Sequence, residues 1–281
     1  MTTEDKIKKF IYKNDQILNH HEALISIDER GFLYGDGLFE TCLFINKKII
    51  NFNAHLARIK IGLLTLKLNA EIQNIESKCY NLIKKNNLQD GIIRISISRG
   101  IGSKGYLPTN ETPNLIIIQT KELPNPPQNA NLIICDINPP PFKFKSANSL
   151  NYVLAKIFAD ENNCLDSIMI DEKGYICETS SANIFWIKNQ IIYTPSDKLN
   201  LVQGTIRETL LNIKDLKIKC GKFKISELKN ADEVFITNST LLVFPIDKIA
   251  FRNNKETKQI KYKKILVKKV IKLLKIRIGL I

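Results

Sequence analysis

The 281 residues carry 42 Lys and Arg against 28 Asp and Glu, a formal net charge of +14, and 44% of them are hydrophobic. That composition is globular, with enough apolar side chains for one large core or two modest ones. No apolar run reaches the ~20 residues of a membrane span, and the opening MTTEDKIKKFIY lacks the apolar core of a secretory signal, so no membrane partner and a cytoplasmic location are expected.

In chain order, ALISIDERGFLYGDGLFETCLFINKKIINF reads as a strand, a turn built on Gly31, Gly35 and Gly37 about Asp36, and a hairpin closed near Asn46. NAHLARIKIGLLTLKL reads as a helix capped by Asn53, with Leu56, Ile59, Leu63 and Leu66 on one side. GIIRISISRG and NLIIIQTKEL are strands, and LPNPPQN, residues 123–129, is a linker. Beyond it, NLIICDI is a strand and NSLNYVLAKIFADENN a helix, apolar at Leu150, Val153, Leu154, Ile157 and Phe158. SIMIDEKGYICE forms a hairpin around Lys173-Gly174, and NIFWIKNQIIYTP another around Asn189. GTIRETLLNIKDL is a helix facing inward through Ile206, Leu210 and Ile213, and DEVFITNS is a strand. The order predicts an α+β protein of two domains, 1–122 and 130–281, joined by the linker.

Residues 252–281 hold eleven Lys and Arg against the single acid Glu256, which is most of the net charge. Leu266, Val270, Leu273 and Leu274 recur there at helical spacing, so a docked C-terminal helix with a solvated basic face is expected. No nucleic-acid module accompanies the charge, and no nucleic-acid partner is expected. The six cysteines are scattered without a C-x-x-C, the pattern of free thiols in a reducing compartment.

Three histidines, His20, His21 and His55, give no metal-ligand spacing, and the sequence has no G-x-S-x-G elbow or P-loop. Single residues carry the chemistry instead. Lys145 follows a triple proline and precedes a helix; it is either solvated or an amine able to form a Schiff base. Glu178 lies within a strand among apolar neighbours, where a carboxylate is costly unless it meets a cation or a protonated ring. Arg58 lies in the first turns of an apolar helix beside His55, where a core-facing guanidinium needs an anion. VQGTIRETLL places Gly204, Thr205 and Ile206 at a helix start, whose amides suit a phosphate. A lysine, an acid, an arginine and such a helix start are the parts that pyridoxal 5′-phosphate requires.

Four motifs in order make the chain resemble the fold-type IV pyridoxal-phosphate enzymes, which include 4-amino-4-deoxychorismate lyase and the branched-chain and D-amino-acid aminotransferases. RGFLYGDGLFET followed by HLARI is similar to the opening signature, which puts the phosphate-binding arginine on Arg58. KSANSLNYVLAK resembles the segment of the Schiff-base lysine, Lys145. YICETSSANIF resembles the strand whose glutamate, Glu178, pairs with the pyridine nitrogen. QGTIR resembles the phosphate-binding helix start, giving the amides of Thr205 and Ile206, although many members place their threonine after the isoleucine.

The resemblance further implies a homodimer, a small N-terminal α/β domain, a larger cofactor-holding domain and an active site between them, with Phe39 led to the substrate side of the cofactor. In FITNSTLLVFPI, Ser239 takes the place of a transaminase threonine beside the cofactor, and Leu242 that of a glutamate, a pattern similar to the lyases. SISRGIGSKGYLP resembles a lyase loop whose second basic residue, here Lys104, would hold a substrate carboxylate together with Tyr106. The implied reaction is release of 4-aminobenzoate and pyruvate from aminodeoxychorismate for folate synthesis. Its alternative is amino transfer from branched-chain or D-amino acids to 2-oxoglutarate.

Overall fold

A computed structural model describes residues 9–102, 105–109, 113–252 and 257–281. The chain divides into two compact units, Met1–Pro124 with Phe144–Asn148, and Asn125–Lys143 with Ser149–Ile281. The first boundary falls within the proline-rich stretch. Residues 144–148, expected with the second domain, instead belong to the first unit, because their backbone bonds to one of its strands.

In the N-terminal unit the elements are β1 (Phe10–Lys13), β2 (Gln16–Asn19), α1 (Arg30–Tyr34), β3 (Gly37–Ile45), β4 (Lys48–Ile49), α2 (Phe52–Leu66), α3 (Ile75–Lys85), β5 (Gly91–Ser98) and β6 (Leu115–Lys121). The strands form one antiparallel sheet in the order β2-β1-β6-β5-β3-β4. Period-two alternation sets its two faces. On β5, Ile93, Ile95 and Ile97 are buried, while Arg94, Ser96 and Ser98 lie on the half-open face. The β3–β4 hairpin turns at Asn46 and Lys47, with φ of 49° and 62°, as expected near Asn46.

Two local expectations are corrected here. ALISI forms no strand, and Leu24, Ile25 and Ile27 are exposed. The helix α2 starts two residues earlier than expected, at Phe52, with left-handed Asn51 rather than Asn53 at its cap position. Ile59 and Leu63 are buried on its inner side, and Leu56 and Leu66 half-buried.

The C-terminal unit contains β7 (Asn131–Cys135), α4 (Leu150–Glu161), β8 (Asp166–Ile170), β9 (Ile176–Thr179), β10 (Asn183–Lys188), β11 (Ile191–Pro195), α5 (Thr205–Leu211), β12 (Ile218–Gly221), α6 (Ser226–Lys229), β13 (Glu233–Asn238), β14 (Leu242–Ile246), β15 (Lys248–Arg252), β16 (Thr257–Lys261) and α7 (Leu266–Arg277). Two five-stranded sheets, β12-β11-β10-β13-β14 and β16-β15-β7-β8-β9, share a core of Leu132, Ile168, Ile176, Ile184, Trp186, Val234 and Ile236. Trp186 is fully buried, edge-on to Phe223 at 5.0 Å.

On α5, Ile206, Leu210 and Ile213 beyond its end are buried, as the spacing predicts. The helix α7 buries Val267, Val270 and Leu274 and leaves Lys268, Lys269, Lys272 and Lys275 exposed, so the basic tail is a docked helix with a solvated face. On α4 the pattern inverts. Ala155 and Ala159 are buried against the sheet, whereas Leu150, Val153, Leu154 and Ile157 are exposed.

Candidate active site

The glycine-rich opening is a capped single turn of helix. The Glu29 carboxylate accepts from Phe32 N at 2.9 Å, and Gly35 ends α1 in the left-handed region at φ 65°. A Cβ on Gly35 would stand 3.1 Å from the Asn148 backbone, and one on Gly37 would stand 2.6 Å from Ile97 O. Asp36, between them, binds two arginines. Its carboxylate accepts from Arg30 Nε at 2.9 Å and from Arg99 Nε at 2.7 Å and NH2 at 3.1 Å. Arg99 also caps the end of α2 at the carbonyls of Leu66 and Lys67, while Arg30 holds those of Gly105 and Tyr106. Asp36 therefore ties the turn, α2 and the loop beyond β5 together.

That turn delivers β3, and β3 carries the lysine segment on its free edge. Phe39 N donates to Lys145 O at 2.9 Å and Ala147 N to Gly37 O at 2.9 Å, with Leu38 and Ser146 paired between them. The backbone of Lys145 is thereby fixed, and its Nζ stands 5.3 Å from the centre of the Phe39 ring. Over the same ring lies the Arg94 guanidinium, at 3.9 Å. Among the described residues Arg94 has no acidic partner, and burial alone lowers its pKa. Sequence reasoning missed it, although a lone arginine alternating with isoleucines in GIIRISIS was a readable signal.

Arg58 meets its anion within the same unit. Its Nε donates to Glu40 Oε1 at 2.6 Å and its NH2 to Oε2 at 2.8 Å, while His55 Nδ1 lies 2.7 Å from Oε2. All three residues are buried. Burial opposes the Glu40 charge, yet the Arg58 charge and hydrogen bonds, joined by His55, bring its pKa down to about 2. Burial also depresses the His55 pKa, more than the Glu40 contact raises it.

In the C-terminal unit, Glu178 is buried on β9 opposite Met169 of β8. Its Oε1 accepts from Tyr152 OH at 2.8 Å, Val202 N approaches both oxygens at 3.1 Å, and Asn183 Nδ2 lies 3.3 Å from Oε2. The turn after Glu178 is built on fully buried Asp166, which accepts from Thr179 Oγ1 at 2.8 Å, Ser181 Oγ at 2.6 Å and Ser180. Asn183 also donates to Val202 O at 2.9 Å, and a Cβ on Gly204 would collide with its Oδ1, so glycine lets α5 begin at Thr205. Ser239 lies in the turn after β13, where Asn238 Oδ1 accepts from Thr240 N at 3.1 Å and Leu241 N at 2.8 Å.

The structure thus groups Phe39, Arg58 and Lys145 in one unit, and Glu178, Thr205, Ile206 and Ser239 in the other. Tyr106 is exposed, its ring 5.7 Å from that of Tyr34, and Lys104 lies outside the described residues. Among the described residues no cluster of His, Cys, Asp and Glu could hold a metal ion, and no helix is long and apolar enough to cross a membrane.

Residues 37–249 match the family model of the amino-transferases of class IV. The chain belongs to that family. It is 31% identical over 252 residues to the aminodeoxychorismate lyase of Bacillus subtilis, covering 85% of this chain and 86% of that one. It is 28% identical to a D-alanine aminotransferase of Staphylococcus epidermidis, over 86% of this chain and 90% of the relative. The crystal structure of 4-amino-4-deoxychorismate lyase from Pseudomonas aeruginosa has the same fold, with a TM-score of 0.79 and 24% identity over 94% of this chain and 98% of that one. This chain is therefore a class IV enzyme of the lyase and aminotransferase family, whose cofactor is pyridoxal 5′-phosphate. Its residues fit that group chemically: an amine, a guanidinium, a helix started by glycine, and a carboxylate fixed by neutral donors.

Proposed function

We propose that the protein is a 4-amino-4-deoxychorismate lyase, releasing 4-aminobenzoate and pyruvate for folate synthesis, and that it works in the cytoplasm as a homodimer. The observation that carries this reading is the β13–β14 turn, where Ser239 and apolar Leu242 stand in the places that many transaminases give to threonine and glutamate. The lyase of Bacillus subtilis, at 31% identity, supports it. The apolar residues exposed on α4 support the homodimer, since large unpartnered apolar patches mark interfaces.

Pyridoxal phosphate, when bound, supplies an electron sink for charge developing on the carbon that bears the substrate nitrogen. In this reading Arg58, the amides of Thr205 and Ile206, and Ser239 hold its phosphate. The Glu178 carboxylate holds a proton on the ring nitrogen. Lys145 is the covalent anchor, and its amine takes the ring proton of the substrate from the carbon attached to nitrogen. Loss of that proton lets the enolpyruvyl ether bond break. The leaving fragment gains a proton at its methylene carbon to become pyruvate, and the remaining ring becomes aromatic.

Phe39 borders the substrate, while Lys104 and Tyr106 serve a carboxylate. Arg94, a half-buried cation stacked on Phe39, serves the other carboxylate of this dianionic substrate. Purified protein given aminodeoxychorismate should form 4-aminobenzoate and pyruvate in equal amounts. Amino transfer from D-alanine or leucine to 2-oxoglutarate, with no aromatic product, would establish the aminotransferase instead.

A further inference from the structure

We infer that Tyr152 is a positioning residue that aims the Glu178 carboxylate at the cofactor ring nitrogen, an inference that rests on the reading of Glu178 proposed above. Tyr152 lies on α4, seven residues past Lys145 in the chain, and its ring packs with Cys135, Ala155 and Met169. Met169 is the cross-strand partner of Glu178, so the same cluster that holds the tyrosine ring lies beside the carboxylate. From there the phenol donates to Glu178 Oε1 at 2.8 Å.

Val202 N at 3.1 Å and Asn183 Nδ2 at 3.3 Å donate to the Glu178 carboxylate as well. These donors, like the phenol, are neutral, so they orient the carboxylate without themselves cancelling its charge. Burial, followed by the Glu178 charge, raises the Tyr152 pKa, which keeps the phenol a donor throughout the working range. Tyr152 thus acts through Glu178 and touches no reacting atom.

The test compares binding of pyridoxal phosphate with that of its analogue in which the ring nitrogen is replaced by carbon. Dissociation constants are measured by spectrophotometric titration of the full-length protein and its Tyr152→Phe, Glu178→Gln and double variants. Losing one charge-assisted hydrogen bond to a carboxylate should weaken pyridoxal phosphate roughly three- to tenfold in Tyr152→Phe, leaving the carbon analogue unchanged. In the Glu178→Gln background the same substitution should add no nitrogen-dependent loss. An equal loss for both ligands, or none for either, overturns the positioning role. A Glu178→Gln substitution that weakens both ligands equally, or neither, overturns the reading of Glu178 itself, and the inference falls with it.

Discussion

Arg58 and Glu40 meet through two hydrogen bonds, at 2.6 and 2.8 Å, with 4% and 1% of their surfaces exposed. Glu40 shares the parity of Leu38 and Cys42 on β3, so it enters the helix-covered face and orients the guanidinium from below. Removing one partner of a buried pair strands the other charge. Glu40→Gln should lower unfolding stability by about 3–5 kcal/mol at neutral pH. Because the folded pKa is about 2, below the ordinary 4.5, the contribution of Glu40 is whole above 4.5 and is lost as pH falls toward 2. Denaturant unfolding of both proteins should show the gap narrowing across that window, and a gap that widens there would contradict the assignment.

The Asp36 carboxylate bridges Arg30 and Arg99. In Asp36→Asn two guanidinium groups, 2% and 10% exposed at the side chain, lose the carboxylate they share. A loss of about 2–4 kcal/mol is expected by urea titration, and a change below about 0.5 kcal/mol would leave the glycine motif without its anchor.

Arg94 offers a planar fork over the Phe39 ring. Arg94→Lys keeps the charge but loses the fork and the stacking. Steady-state kinetics with aminodeoxychorismate should show kcat/KM down about 10- to 100-fold, chiefly through KM, in line with about 1.5–3 kcal/mol for a charged hydrogen-bonded contact. An unchanged KM would remove Arg94 from substrate binding.

The exposed apolar face of α4 should set the oligomeric state. Leu154→Glu places a charge among Leu150, Val153 and Ile157, and sedimentation velocity should show a shift from dimer to monomer. A variant that remains dimeric would place the interface elsewhere.

Much of this was legible along the chain because it depends on local chemistry. Paired left-handed residues at Asn46-Lys47 and Asn189-Gln190 close two of the three hairpins that the sequence marks. The inward face of α5 and the docked α7 follow from helical spacing. Burial was misread wherever large apolar side chains face outward. Leu24, Ile25 and Ile27 look like strand residues, and Leu150, Val153, Leu154 and Ile157 like a core stripe, yet the small Ala155 and Ala159 meet the sheet. The partners of Arg58 and Glu178 were hidden for a different reason. Glu40 and Tyr152 stand 18 and 26 residues from them, and no local pattern encodes such pairings.

Everything proposed for the reaction depends on which amine carries the cofactor. Lys143, two residues before Lys145, donates to the carbonyl of Asp197 at 2.6 Å and to that of Leu199, and so is committed elsewhere. Borohydride reduction of the pyridoxal-phosphate-loaded protein, followed by peptide mass mapping, should place one cofactor-derived mass on Lys145. The Lys145→Ala variant should remain folded and take up no label. A label on Lys143 or any other lysine, or none at all on the wild type, would contradict the account.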